Sequence, residues 1–174
     1  MKKNILTFGL VLGILLTINM VYMVNLCMND PDFKGNDVVG YTIHIVVFSL
    51  TFFGILNYRN KELNGFISFG KAFKTGAFIA LVGSTLYVVV WLFYYYLFVP
   101  EFLDKYIEHV MIEANRNGST ASEIEATQQQ MQQYRQMYQN PLFVILMTFA
   151  EVLPIGLIVA FISSLILRKK QSSL

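Results

Sequence analysis

Residues 141–167 read PLFVILMTFAEVLPIGLIVAFISSLIL, and the only charged side chain among them is that of Glu151. About 20 consecutive apolar residues suffice to carry a helix across the hydrocarbon core of a bilayer. A strand of a membrane barrel would instead alternate apolar and polar side chains over about ten residues. This stretch shows no such alternation, so it predicts a transmembrane helix.

Three further runs have the same character. They cover residues 5–27, 38–58 and 75–99, and none of them contains Asp, Glu, Lys or Arg. Hydrophobic residues form 55% of the 174-residue chain and charged residues 14%, against about 25% charged residues in soluble domains. We therefore predict an all-α membrane protein with one domain, residues 1–174, built on four transmembrane helices.

The first run is interpreted as a membrane anchor. Lys2 and Lys3 precede it, as basic residues precede a signal peptide, but signal h-regions are shorter and end at small residues. No pair of small residues stands in the segment 20–28, so cleavage is not expected. Cys27 is the only cysteine, which excludes an internal disulfide and a CxxC metal or redox site.

The segments that connect the runs differ in charge. Nine basic residues lie before the first run, between the second and third, and after the fourth: Lys2, Lys3, Arg59, Lys61, Lys71, Lys74, Arg168, Lys169 and Lys170. The other two loops hold only four, and they hold nine acids. Basic residues accumulate on the cytoplasmic side of membrane proteins, so both termini are predicted to lie in the cytoplasm. The net charge of +2 is too small to favour nucleic acid as a partner.

The segment 64–74, NGFISFGKAFK, precedes the third run. Its three phenylalanines, at 66, 69 and 73, recur at helical spacing, while Lys71 and Lys74 fall elsewhere. This pattern predicts an amphipathic segment on the inner leaflet, with both lysines at the anionic headgroups. An ordinary start of the third span is the alternative.

Residues 100–140 form the longest polar loop, predicted to be an extracytoplasmic helical hairpin between spans 3 and 4. Apolar residues recur at helical spacing on both sides of the turn-forming sequence NRNGS at 115–119. These residues are Leu103, Tyr106 and Val110, then Ile124, Met131, Tyr134 and Tyr138. Ser122 and Glu125 fit a capping box at the start of the second helix.

Glu151 is the main candidate for a functional residue. It lies ten residues beyond the start of the fourth run, which places it about 15 Å deep. A charge near the bilayer centre costs about 3 kcal/mol or more, so such residues usually face the bundle interior. With His44, Asn19 and Tyr95 it forms a candidate intramembrane polar site. Alternatively, each polar group only bonds a neighbouring helix, and Tyr95 belongs to an interfacial aromatic belt.

Small residues predict close helix packing, within one chain or between subunits. They are Gly9 and Gly13 in the first run, and Gly76, Ala80 and Ser84 in the third. Enzyme motifs such as HExxH, GxSxG and the phosphate-binding loop are missing from the sequence. We therefore expect no catalytic residues, no metal and no cofactor.

Three stretches carry a resemblance to a known family. They are YRNKELNGFISFGKAFKTG at 58–76, WLFYYY at 91–96 and NPLFVILMTFAEVLPIGLIVAFISSLILRKK at 140–170. They resemble a bacterial membrane family catalogued as domain of unknown function 4199, and the resemblance covers nearly the whole chain. It implies a four-span inner-membrane protein without an assigned activity.

The favoured function is that of a non-enzymatic accessory or scaffold protein. The alternative is a subunit of a small oligomeric transporter or channel that uses Glu151 as a proton or cation site. Besides the lipid bilayer, the expected partner is a second copy of the chain or another membrane protein.

Overall fold

The computed structural model describes residues 1–30 and 37–169, and this part of the chain is helical. Its helices are α1 (Lys2–Asn29), α2 (Asp37–Phe48), α3 (Leu50–Glu62), α4 (Phe69–Leu97), α5 (Phe102–Arg116), α6 (Ala121–Met137) and α7 (Pro141–Leu167). The predicted all-α class is confirmed for these residues.

Within the described part of the chain, four helical segments are long and apolar enough to cross a membrane: Lys2–Asn29, Val38–Glu62, Phe69–Leu97 and Pro141–Leu167. The second consists of α2 and α3, which are interrupted at Ser49. The Ser49 hydroxyl donates to the carbonyl of Val46 at 2.5 Å, and its N–H is shared between the carbonyls of Ile45 and Val46. Such side-chain bonds compete with the regular backbone ladder, so the interruption is local.

Helix α4 is the centre of the bundle, because it packs along α1 on one side and along α7 on another. Glycines allow the approach to α1. A Cβ atom at Gly13 would lie 2.9 Å from Leu86 Cβ and 3.0 Å from the carbonyl oxygen of Gly83. A Cβ at Gly9 would lie 2.7 Å from Val82 Cβ. The two helix backbones therefore nearly touch.

The contact of α4 with α7 is equally close. A Cβ atom at Gly76 would lie 2.9 Å from Ala160 Cβ, and one at Gly156 would lie 2.9 Å from Ala80 Cβ and 2.4 Å from the Phe48 ring. The small-residue stripe of α4 therefore packs within this chain. The same face continues to Ser84, which is fully buried.

The segment 64–74 does not form a separate surface helix. Asn64 and Gly65 adopt positive φ angles of 50° and 85° and turn the chain between α3 and α4. Ser68 caps α4, so residues 69–74 are the first turns of this helix. Phe69 and Phe73 stack on each other, and both contact the Phe161 ring of α7 edge to face. These rings pack against α7 because aromatic contacts of this kind are more favourable than exposure to lipid headgroups. Of the two alternatives, the structure fits the one in which these residues begin the third apolar helix.

Helices α5 and α6 pack against each other, and we call them the α5–α6 pair. Gly118, with φ of 74°, lies in the turn between them. The guanidinium of Arg135 donates to the Asp104 carboxylate at 2.6 Å and joins the end of α6 to the start of α5. Lys105 donates to the carbonyl of Met28 at 3.3 Å, which attaches the pair to α1.

The capping box of α6 was predicted two residues too late. It is formed by Thr120 and Glu123, whose side chains each bond the backbone N–H of the other, and not by Ser122 and Glu125. The N–H and the hydroxyl of Thr120 both donate to the Glu123 carboxylate, which stabilises its charged form and lowers its pKa. Both pairs fit the pattern Ser/Thr-x-x-Glu, and Thr120 takes the role because its backbone is extended where the helix begins.

Candidate functional site

Glu151 lies at the surface of the four-helix bundle and does not face its interior. Val144, Thr148, Val152, Gly156 and Ala160 are buried residues of α7, spaced four apart, and they form the face turned toward α4. One residue along a helix is a rotation of about 100°. Glu151 directly precedes Val152, so its side chain is rotated by about 100° away from this face and is exposed. The expectation of an interior carboxylate is therefore wrong.

The surroundings of Glu151 nevertheless include two tyrosines from other elements. Its carboxylate lies within electrostatic range of the hydroxyls of Tyr87 on α4 and Tyr138 at the end of α6. Burial and, to a smaller extent, the negative charge of Glu151 raise the pKa of Tyr138 to about 12. The Tyr138 phenol therefore stays protonated at neutral pH.

His44 contacts Tyr87 from another side. Its ring lies edge to face with the ring of Tyr87 at a centroid distance of 5.8 Å. Its Nδ1 lies 2.8 Å from the carbonyl oxygen of Gly40, which can only accept, so Nδ1 carries the hydrogen. The Nε2 atom of the neutral ring is then an acceptor. Tyr87 thus links the environments of His44 and Glu151.

The other two residues of the predicted polar site are Tyr95 and Asn19. Tyr95 is buried in an aromatic cluster with Trp91 and Tyr138, at centroid distances of 5.6 and 5.7 Å. It borders a groove of about 390 Å³ that Asp104 and Arg135 also line. Asn19 is half-buried on α1.

A polar cluster at the opposite end of the bundle was not predicted. The buried Asn4 side chain donates to the carbonyl of Gly54 at 2.9 Å and accepts from the Asn57 amide at 2.6 Å. The N-terminal ammonium pairs with Glu62, which adds a second link between the ends of α1 and α3. An Asn directly before an apolar run is a sequence signal for such a link. Its partners could not be predicted, because they belong to another helix.

Lys71 and Lys74 are exposed on the first turns of α4. Next to them, Ile67 and Lys169 form an antiparallel backbone bridge, with N···O distances of 3.0 and 2.9 Å. The Lys169 ammonium lies 5.6 Å from the centroid of the Phe66 ring. The bridge fixes the chain after α7 beside the turn that precedes α4.

Potential metal ligands are scattered over the fold. Across residues 1–30 and 37–169, the structure brings no three His, Cys, Asp or Glu side chains into a group that could hold a metal ion.

Comparison with known proteins places this chain in a family. The sequence profile of the family described as "Protein of unknown function (DUF4199)" matches residues 7–169. No curated protein matches the chain, and no solved structure matches it. Because the matched segment is nearly the whole sequence and contains nearly all of the four apolar helices, the chain belongs to the DUF4199 family of proteins of unknown function.

Proposed function

We propose that the chain is an integral protein of the bacterial inner membrane that serves as a non-enzymatic accessory or scaffold. In this arrangement the four apolar helices span the bilayer and both termini lie in the cytoplasm. The α5–α6 pair then projects from the outer surface as a helical hairpin. Nine of the 13 basic residues belong to segments on the side of the termini, which supports this orientation.

The observation that carries the scaffold role is the apolar surface of the α5–α6 pair. Each of its helices buries one residue, Leu103 in α5 and Met131 in α6. Tyr106 and Ile112 are 44% and 48% exposed. Exposed apolar side chains on this polar segment are the contacts that a protein partner would cover in the proposed complex.

The charge of the same segment indicates what kind of partner fits. Residues 100–140 contain six acidic and three basic residues, a net charge of −3 with histidine neutral. Anionic lipid headgroups and nucleic acid would be repelled by this surface. The partner that fits is a membrane protein whose outer segment presents apolar side chains surrounded by basic ones.

Purification of the full chain in a mild detergent tests this role. We expect a stoichiometric protein partner to copurify with the wild type. A chain carrying Tyr106→Gln and Ile112→Gln should lose at least about 90% of this partner, since two anchors worth roughly 1 kcal/mol or more each would be removed. Gln128→Ala with Gln132→Ala, two exposed polar positions of the same pair, is the matched control and should retain it. Homo-oligomers without any other protein would contradict the scaffold role.

The second candidate is a subunit of an oligomeric transporter or channel. It is favoured by the surface position of Glu151 together with Tyr87 and His44, since a carboxylate on the outside of one bundle can line a pathway between copies. Four helices rarely enclose a pathway alone, so this function requires an assembly of several chains. Polar groups at such depth often mark ion or proton paths.

Glu151→Gln distinguishes the two candidates, because it retains the shape and hydrogen bonding of the side chain and removes the charge. Under the scaffold proposal we expect this variant to insert normally and keep its partner. Its free energy of unfolding should lie within about 0.5 kcal/mol of the wild-type value. Glu151→Leu, which removes the hydrogen bonding as well, should affect stability alone. A folded and correctly inserted Glu151→Gln protein that loses proton or cation flux in liposomes would overturn the scaffold proposal in favour of the transporter.

A further inference from the structure

Two grooves lie beside the first turns of α4. The first, which we call the polar groove, has a volume of about 590 Å³ and is lined by Phe66, Ser68, Lys71 and Lys169 among others. None of the described residues that line it is acidic. The nearest acid along the chain, Glu62, is paired with the N-terminal ammonium. The polar groove therefore presents positive charge without a neutralising carboxylate among these wall residues.

The second groove, which we call the apolar groove, lies between α4 and α7 and has a volume of about 370 Å³. Its walls are Phe73, Ala77, Phe78 and Leu81 of α4 with Leu153 and Leu157 of α7. Among the described residues that border it, Lys74 alone is charged. A groove of this composition fits a hydrocarbon chain along its length and an anion at the lysine end.

The two grooves meet on α4. Lys71 borders the polar groove and Lys74 the apolar one. Residues three apart on a helix are surface neighbours, with about 5–6 Å between their Cβ atoms. A molecule with an anionic head and an apolar tail can therefore occupy both grooves at once.

Lys169 completes the polar groove from a different part of the chain. Its backbone bridge to Ile67 holds it at the same groove as Lys71, and its ammonium lies above the Phe66 ring. The lysine is thus placed by its own backbone contacts and not by its flexible side chain alone. A phosphate between Lys71 and Lys169 would meet two cations from two separate elements.

We propose that this end of the bundle binds one anionic phospholipid, with its phosphate in the polar groove between Lys71 and Lys169 and one acyl chain in the apolar groove. Lys74 lies at the junction, at the level of the glycerol and phosphate. Charge complementarity selects an anionic lipid over a zwitterionic one. The site is independent of the scaffold role and requires only that this end of α4 lies at a headgroup layer.

The test uses the full chain in nanodiscs of phosphatidylcholine with increasing fractions of phosphatidylglycerol, and native mass spectrometry counts the retained phosphatidylglycerol. We expect one tightly retained lipid for the wild type. The variant Lys71→Gln, Lys74→Gln, Lys169→Gln should weaken its retention by roughly a hundredfold, since each lysine near an anionic surface contributes about fivefold. The control Lys2→Gln, Lys3→Gln, Lys61→Gln removes the same charge at the same end from exposed positions outside both grooves, and should retain the lipid.

Two further measurements keep the proposal falsifiable. The triple substitution of Lys71, Lys74 and Lys169 by Arg should restore retention, which rules out a folding defect at these positions. Leu157→Trp fills the apolar groove and should weaken retention of phosphatidylglycerol about tenfold or more. Equal loss in the two Gln variants, no loss in either, or full displacement by soluble glycerol 1-phosphate at millimolar concentration would overturn the lipid site. The last result would show a site for a free phosphate group in its place.

Discussion

A chain with Gly13→Ile is expected to keep its helices and lose the packing of α1 against α4. The added Cβ alone would lie 2.9 Å from Leu86 Cβ and 3.0 Å from the carbonyl oxygen of Gly83. Neither atom is the end of a flexible side chain, so the strain can be relieved only by moving one helix backbone. Overpacking of a close-packed core costs about 1–3 kcal/mol, and the branched side chain puts this variant at the upper end of that range.

Thermal unfolding in detergent, followed by circular dichroism, measures the effect. The matched control is Gly70→Ile, which places the same side chain on α4 at a glycine with no atom within 4 Å of its added Cβ. Gly13→Ile should melt clearly below the wild type, and Gly70→Ile should melt close to it. Equal melting temperatures for the two variants would show that α1 and α4 do not approach as closely as these distances require.

A milder effect is expected at Gly83 on the other side of the same crossing. Its added Cβ would lie 2.3 Å from a terminal methyl of Leu12, which can rotate away, while the nearest backbone atom is 3.2 Å distant. Gly83→Ala should therefore destabilise less than Gly13→Ala. Helices α1 and α4 pack closely by van der Waals contact. Gly83→Ala should therefore melt at a higher temperature than Gly13→Ala, because the added methyl at position 83 meets a side chain that can move and the one at position 13 does not.

The apolar helices were predictable because a bilayer imposes a simple requirement on length and composition. The sequence left the start of α4 at Phe69 open between two alternatives, since Ser68 and the phenylalanines after it are equally compatible with a surface segment. The break at Ser49 was not predicted, because a serine within an apolar run more often leaves the helix intact. Local sequence predicts that each helix exists, but it does not predict which helices pack against each other.

The candidate site was only partly predictable for the same reason. Glu151 was recognised from its depth, and its direction was misjudged, although the small and β-branched residues spaced four apart in α7 mark the buried face. Tyr87 was overlooked because its significance comes from His44 and Glu151, which belong to other helices. The position of Lys169 at the groove of Lys71 depends on its backbone bridge to Ile67, a contact between distant parts of the chain. Contacts of this kind depend on how the helices pack.

The proposed four-span orientation, with both ends of the chain on the cytoplasmic side and the α5–α6 pair on the other, can be measured directly. A Cys27→Ala background removes the only native thiol, and single cysteines are then introduced at Lys61, Asn117 and Gln171. Asn117 is exposed and lies in the turn between α5 and α6, and it avoids the positive φ of Gly118. Each variant is treated in intact cells with a membrane-impermeant maleimide, and again after the membrane is permeabilised.

We expect the cysteine at 117 to react fully in intact cells, because an odd number of spans separates it from either terminus. Those at 61 and 171 should react at the background level until the membrane is opened, since the basic segments around them are retained in the cytoplasm. Reaction at 171 but not at 117 in intact cells would mean that the orientation is inverted. Reaction at both 61 and 117, or at neither, would contradict the four-span arrangement itself.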